Sequence, residues 1–236
     1  MNPALVISKR EIRTYFNSPV AYIVVTVFTI VFGFFFFNNL FVEKQADMRS
    51  FFSLAPLMFC FFAPAVTMRL LAEEKGSGTI ELLITMPVRD WEVVVGKWLA
   101  AMALLCTTLG LTMVFAITVS RLGPLDKGPA VAGYVGLLLM GGSYIAIGVM
   151  ASSFTRNQVV SLIIAFGICF ALFLFGKVLP FVPDALKPIV SFLSTDTHFE
   201  NVSRGVLDSR DVIYYLSVVV VTLLIATTSL ESRKWK

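Results

Sequence analysis

Six long, apolar segments alternate with short polar segments along the 236-residue chain. About 20 consecutive apolar residues in helical conformation cross the hydrocarbon core of a bilayer. The pattern therefore predicts an all-α membrane protein with six transmembrane helices. No polar stretch is long enough to form a separate domain, so residues 1–236 are expected to form one transmembrane domain. The predicted spans are residues 20–41, 51–71, 91–119, 131–153, 159–179 and 212–230.

The first 18 residues have the pattern of an amphipathic helix. Leu5, Ile12 and Phe16 share one predicted helical face. The other face carries the basic residues Lys9, Arg10 and Arg13. Such a helix is expected to lie along a membrane surface, where basic side chains meet anionic lipid.

A second amphipathic region, residues 180–210, separates the last two predicted spans. Apolar residues recur there at helical spacing in two groups, and the pattern breaks near Ser194 and Thr195. We expect two short helices that lie on the outer face of the membrane or dip into it. The two groups are Leu186, Ile189, Val190 and Leu193, then Phe199, Val202 and Val206.

Composition and charge agree with a multi-pass membrane protein. Hydrophobic residues make up 57% of the chain and charged residues only 14%, with a mean hydropathy of +0.84. With both termini in the cytoplasm, the inner segments hold eleven lysines and arginines and the outer segments eight, and half of the outer ones belong to the longest outer segment, from Lys177 to Arg210. The positive-inside rule therefore favours cytoplasmic termini. The basic residues are dispersed, which argues against nucleic acid as a partner.

The longest polar interruption in the first half of the chain, residues 73–90, has a pattern of its own. Ile80, Leu82, Leu83 and Ile84 are apolar around Glu81, which predicts a short helix on the membrane surface. Thr79 could cap this helix and Pro87 could end it. Gly76 and Gly78 would allow the turn before it. On residue chemistry alone, Glu73 and Glu74 could instead simply mark the end of the second span.

This segment resembles the cytoplasmic coupling segment of ABC-2 type transporter permeases. The matching sequence runs from Glu73 to Val88 and is followed by Val95-Gly96-Lys97. The resemblance implies contact with a separate ATPase subunit. Its coupling residues would be Glu73, Glu74, Gly76, Gly78, Thr79, Glu81, Leu82, Leu83 and Pro87.

A second motif lies between His198 and Tyr215. It is similar to the short permeases of the gliding-motility-associated branch of this group. The resemblance implies contact with an extracytoplasmic partner, or a gate, at His198, Phe199, Arg204, Gly205 and Asp208. From the residues alone, His198 and Glu200 could form an acid–base pair, but a surface polar patch is the better interpretation.

The resemblance as a whole implies a non-catalytic permease of the bacterial inner membrane, most simply an exporter. Two permease subunits, identical or different, would pair with two copies of an ABC ATPase that binds ATP and Mg²⁺. A membrane-anchored protein with a large extracytoplasmic domain could join them, and membrane lipid would surround the spans. The chain itself contains no P-loop sequence, and with His198 its only histidine it offers no histidine cluster for a metal.

Two other functions stay open from the sequence. ATP-driven motion could act mechanically on an extracytoplasmic partner, without transporting a substrate. A carrier or scaffold that does not use ATP is a third hypothesis. The predicted spans contain almost no ionisable side chains, which disfavours an ion-coupled carrier.

Overall fold

The computed structural model describes residues 3–43, 48–79, 88–123, 126–206 and 208–232, and within these ranges it is helical, with no β-strand. A 3₁₀ turn, Leu179–Phe181, follows the seventh helix. The helices are α1 (Pro3–Asn17), α2 (Pro19–Glu43), α3 (Arg49–Thr67), α4 (Ala72–Ser77), α5 (Asp90–Leu122), α6 (Lys127–Phe154), α7 (Gln158–Val178), α8 (Lys187–Leu193), α9 (Thr195–Ser203) and α10 (Ser209–Glu231).

Six helical segments of the described residues are long and apolar enough to cross a membrane. They contain α2, α3, α5, α6, α7 and α10, which confirms the predicted all-α architecture with six membrane-length helices. The second segment differs from its predicted extent, because α3 ends at Thr67 rather than continuing to residue 71. The backbone turns at residues 68–71, and α4 then starts as a separate helix.

Helix α6 lies at the centre of the bundle and packs against α3, α5, α7, α9 and α10. Small residues on α6 make this possible, since a side chain there would collide with its neighbours. A Cβ at Gly141 would lie 2.6 Å from a methyl of Leu105, and one at Gly136 would lie 2.8 Å from Val202. Close approach of helices at small residues is a general way of packing membrane helices.

The bundle has two ends, which we name after the helices that lie there. The α1 end contains α1, α4, the turn between α6 and α7, and the end of α10, linked by contacts of Lys97 and of the Ser153 carbonyl. The α9 end contains α8, α9 and the start of α10, linked by contacts of His198 and Tyr214.

Helix α1 packs along α5. It buries Ala4, Ile7 and Ser8, and a Cβ at Gly96 would lie 2.8 Å from the Ala4 carbonyl oxygen. Leu5, on the face predicted to be apolar, is 58% exposed. Ile12 and Phe16 of the same face are half-buried, and Phe16 packs against the core, so the face of α1 that contacts the protein overlaps the predicted apolar face only in part.

The 180–210 region contains two short helices, α8 and α9, and the break between them falls at Ser194. The Ser194 hydroxyl caps α9 by accepting a hydrogen bond from the amide of Thr197 at 3.2 Å. Helix α9 packs against α3, α6 and α7, whereas α8 leaves Ile189 and Phe192 exposed. The two helices therefore have different surroundings, one within the end of the bundle and one on its surface.

Candidate functional site

The start of α4 is fixed to the central helix by one serine. The backbone amides of Leu71 and Ala72 donate hydrogen bonds to the hydroxyl of Ser152 at 3.0 and 2.9 Å. The first amides of a helix have no partner within the helix, so a hydroxyl at this position satisfies them. These bonds also explain why α4 starts as a separate helix after Thr67, since the amides of Leu71 and Ala72 bond to α6 rather than continuing α3.

Lys75 makes a second connection between α4 and the rest of the bundle. Its side chain is buried, and its ammonium group donates a hydrogen bond to the backbone carbonyl of Ser153 at the end of α6. The hydroxyl of Ser229, on α10, donates to the same carbonyl at 3.0 Å. One carbonyl oxygen thus joins α4 and α10 to α6.

The two glycines of the coupling motif have different structural roles. Gly78 ends α4 in the left-handed region, with φ of 75°, as the predicted turn requires. Gly76 lies within α4 and does not have a positive φ. A Cβ at Gly76 would lie 2.9 Å from the carbonyl oxygen of Arg156. The absence of a side chain at Gly76 therefore allows α4 to contact the α6–α7 turn.

A buried lysine on α5 joins three helices at the α1 end. Lys97, only 1% exposed, forms ion pairs with Glu74 of α4 at 2.8 Å and Glu11 of α1 at 3.1 Å. Arg10 lies 2.9 Å from Glu11 and 3.6 Å from Glu74. A buried charge is tolerated when it is paired and hydrogen-bonded, as Lys97 is here. We call Arg10, Glu11, Glu74 and Lys97 the Lys97 cluster.

The environment of Glu11 changes its acidity. Burial alone would raise the pKa of its carboxyl, but the attraction of Lys97 and the hydrogen bonds from Arg10 and Lys97 outweigh burial, so the pKa is lowered from its ordinary value. Glu11 is therefore held in its charged form. The ion pairs of α1 with α5 depend on that charge.

The two adjacent glutamates of the coupling motif point into different surroundings. Glu73 pairs with Arg69 at 2.8 Å, and its side chain is 45% exposed. Glu74, at 18% exposure, belongs to the Lys97 cluster. Glu73 is thus at the surface, where another protein could contact it, whereas Glu74 connects α4 to α1 and α5.

The rest of the predicted coupling segment is only partly described. Thr79 is exposed, and its hydroxyl lies 2.9 Å from that of Ser77. Residues 80–87 are outside the described ranges, so the predictions for Glu81, Leu82, Leu83 and Pro87 and for the surface helix stay predictions.

At the α9 end, His198 pairs with a residue that the sequence interpretation missed. Its Nδ1 lies 2.6 Å from a carboxylate oxygen of Asp211, and its Nε2 lies 3.1 Å from the carbonyl oxygen of Phe192. The ring also stacks on Tyr214, with centroids 4.1 Å apart. The protonated ring can donate to both oxygens. His198 therefore connects α9 to the start of α10 and to the end of α8, rather than forming a pair with Glu200.

Two tyrosines add further bonds at this end. Tyr214 donates to the carbonyl of Leu193 at 2.8 Å, and Tyr215 donates to the carbonyl of Thr195 at 2.7 Å. The buried hydroxyl of Tyr144, on α6, lies 2.7 Å from that of Thr195. The break between α8 and α9 is thus held from two neighbouring helices.

The other four residues predicted for a partner contact or gate at this end each have a different structural role from His198. Phe199 is buried and lies beside Gly136 of α6. Gly205 has φ of 92° just after α9, a conformation that favours glycine. Asp208 caps α10 by accepting from the amide of Arg210 at 2.9 Å. Arg204 is exposed and lies 3.5 Å from Glu200. Of the five, Arg204, Gly205 and Asp208 are exposed and accessible to a partner.

Within the described residues, no group of three or more His, Cys, Asp or Glu side chains could hold a metal ion. The site consists of ion pairs and hydrogen bonds between helices. These features define a multi-pass helical membrane protein in which a short polar helix, α4, is tied to the bundle.

A comparison with known families identifies the chain's class. The model of the ABC-2 family transporter proteins matches residues 5–234, so the chain belongs to this family. Members of this family are the membrane permease components of ABC transporters. Such a permease pairs with an ABC ATPase subunit. A search of curated proteins found no match.

Proposed function

We propose that this chain is the permease subunit of an ATP-driven exporter, and that the ATPase contacts it at the α1 end. The observation that supports this proposal best is the attachment of α4. The helix forms the first part of the predicted coupling segment, and it is bonded to α6 through Ser152 and Lys75 and paired with α1 and α5 through Glu74. A displacement of α4 would therefore reach several membrane-length helices at once.

The remaining parts of the proposal follow from the family and from the charge distribution. The α1 end would face the cytoplasm of a bacterium, with both termini on that side. Two permease subunits would enclose the pathway, and two ATPase subunits would bind ATP and Mg²⁺. Glu73, exposed beside Arg69, would contact the ATPase, while Glu74 would pass the motion to α1 and α5.

The test is co-purification followed by ATPase assays in proteoliposomes. Glu73→Lys is expected to weaken the association with the ATPase, because it reverses an exposed charge. Lys75→Met should leave the complex assembled but uncouple ATP hydrolysis from transport, because the bond to Ser153 is lost. Glu200→Gln, at the opposite end, is the matched control. Co-purification of no ATPase with the unaltered chain would refute the proposal.

A second function, mechanical action on an extracytoplasmic partner, is favoured by α8. This helix exposes Ile189 and Phe192, and it is bonded to α10 through the Leu193 carbonyl and to α9 through the Phe192 carbonyl. Motion of α10 would thus move an exposed apolar surface. Ile189→Asp should abolish capture of such a partner without changing association with the ATPase. Capture that is unchanged by Ile189→Asp would contradict this function.

A further inference from the structure

A cavity of about 330 Å³ lies at the α1 end, between α1, α2, α3, α4 and α5. Its volume is within the usual range for small-molecule sites. One part of its wall is apolar and belongs to the membrane-length helices. That part is formed by Ala21, Val24, Ala65, Val66 and Leu104. The cavity therefore suits a molecule with an apolar portion.

The other part of the wall is charged, and its charges balance. Arg10, Arg69 and Lys97 contribute three positive charges. Glu11, Glu73 and Glu74 contribute three negative charges, and each of these carboxylates is within 4 Å of at least one of the cations. A ligand with a net charge would leave that charge uncompensated in a partly buried site, which is costly. A ligand that carries one charge of each sign adds no net charge.

Two features indicate how such a ligand would be oriented. One oxygen of Glu74, Oε2, is buried and has no hydrogen-bond donor among the described residues. A primary ammonium group would supply that donor, whereas a quaternary ammonium has no N–H to offer. The guanidinium groups of Arg10 and Arg69 line the same cavity and are both partly exposed. Arg69 already donates from Nε and Nη2 to Glu73, and Arg10 from Nη2 to Glu11, so a phosphate would be bound by the other N–H groups of these guanidiniums.

We propose that this cavity binds the headgroup of a phospholipid with a primary ammonium, a phosphoethanolamine ester. The ammonium lies toward Glu74, the phosphate toward Arg10 and Arg69, and the first acyl carbons along the Ala65 wall. The lipid is favoured over a free phosphoethanolamine because the apolar wall is continuous with the membrane-length helices. This site shares Glu73 and Glu74 with the contact to the ATPase proposed above, whereas Ala65 lines the cavity and has no part in that contact.

The test is native mass spectrometry of the full chain, released from bilayers of equal parts phosphatidylethanolamine and phosphatidylcholine with the same acyl chains. Retention of phosphatidylethanolamine is expected to be favoured about tenfold, the effect of one hydrogen bond to a charged group. Ala65→Leu, which fills the cavity without touching a charged residue, should remove the retained lipid. Glu74→Gln should reduce the preference between the two lipids, and Glu200→Gln is the control.

Other outcomes would overturn the proposal. Equal retention of the two lipids would show that no primary ammonium is recognised, and retention that Ala65→Leu leaves unchanged would place the lipid outside the cavity. Soluble glycerophosphoethanolamine is not expected to displace the lipid at equal concentration. If it does, the ligand is a free phosphate ester, and the lipid assignment fails. Association with the ATPase, measured on the same samples, reports separately on the proposed function.

Discussion

The two ends of the bundle are held together by different chemistry. At the α1 end, full charges connect the helices, through the Lys97 cluster and the Lys75 ammonium. At the α9 end, hydroxyl groups of Tyr214 and Tyr215 bond to backbone carbonyls, beside the separate pairs His198–Asp211 and Lys177–Asp196. The α1 end is thus centred on one buried lysine that two carboxylates share, whereas at the α9 end tyrosine hydroxyls hold the break between α8 and α9.

Removing the central charge of the α1 end should have the largest effect. Lys97→Met leaves Glu11 and Glu74 close together without their shared ammonium, and breaking a buried ion pair in this way costs about 3–5 kcal/mol. The free energy of unfolding in detergent measures the loss. Replacing Glu11 and Glu74 by Gln as well should restore most of it, because the charge then left in the cluster is that of Arg10, which is half exposed to solvent. Equal stability of Lys97→Met and the unaltered chain would contradict the importance of the cluster.

The corresponding change at the α9 end should have a smaller, more local effect. His198→Leu leaves the buried Asp211 without its partner and removes the bond to the Phe192 carbonyl. We expect a loss of about 2–4 kcal/mol and faster hydrogen exchange in α8 and α9. Arg204→Gln, an exposed change nearby, is the control. Faster hydrogen exchange in α1 instead would show that the stabilities of the two ends are coupled.

Adding a methyl group at Gly76 tests the contact between α4 and the α6–α7 turn. Gly76→Ala places a methyl 2.9 Å from the Arg156 carbonyl oxygen, so α4 must move. The cost is expected to be about 1–2 kcal/mol. Gly167→Ala is the matched control, since nothing lies within 4 Å of its Cβ, and it should be neutral or slightly stabilising. The same result for both variants would exclude a close contact at Gly76.

One hydroxyl group at the α9 end can be removed with little change in shape. Tyr215→Phe leaves the carbonyl of Thr195 without its 2.7 Å hydrogen bond and should cost about 1–2 kcal/mol. Tyr22→Phe, on an exposed tyrosine, should change the free energy of unfolding by less than about 0.5 kcal/mol. A similar small change for both would mean that the tyrosine bonds do not fix the α9 end.

The sequence predicted the parts of this structure that depend on local pattern. The six membrane-length helices follow from hydropathy, and the break at Ser194 follows from helical spacing on either side of it. The ion pairs could not be predicted, since Glu11 and Lys97 are 86 residues apart. A signal was nevertheless present, because Lys97 is an isolated charge within a predicted apolar span. Asp211 gave a weaker signal, since a carboxylate at the start of a helix is ordinary.

The smallest expected effect concerns pH and the attachment of α1. Because the pKa of Glu11 is lowered below its ordinary value of 4.5, its ion pairs stabilise the folded state fully above that pH. The stabilisation should disappear as the pH falls below 4.5 and through the lowered pKa, since protonation neutralises Glu11. The accessibility of a cysteine placed at Ile7, which is buried against α5, reports this as a labelling rate that rises at acid pH relative to the rate of a free thiol at the same pH. Glu11→Gln should label at the faster rate throughout, and a rate that rises at alkaline pH instead would contradict the assignment.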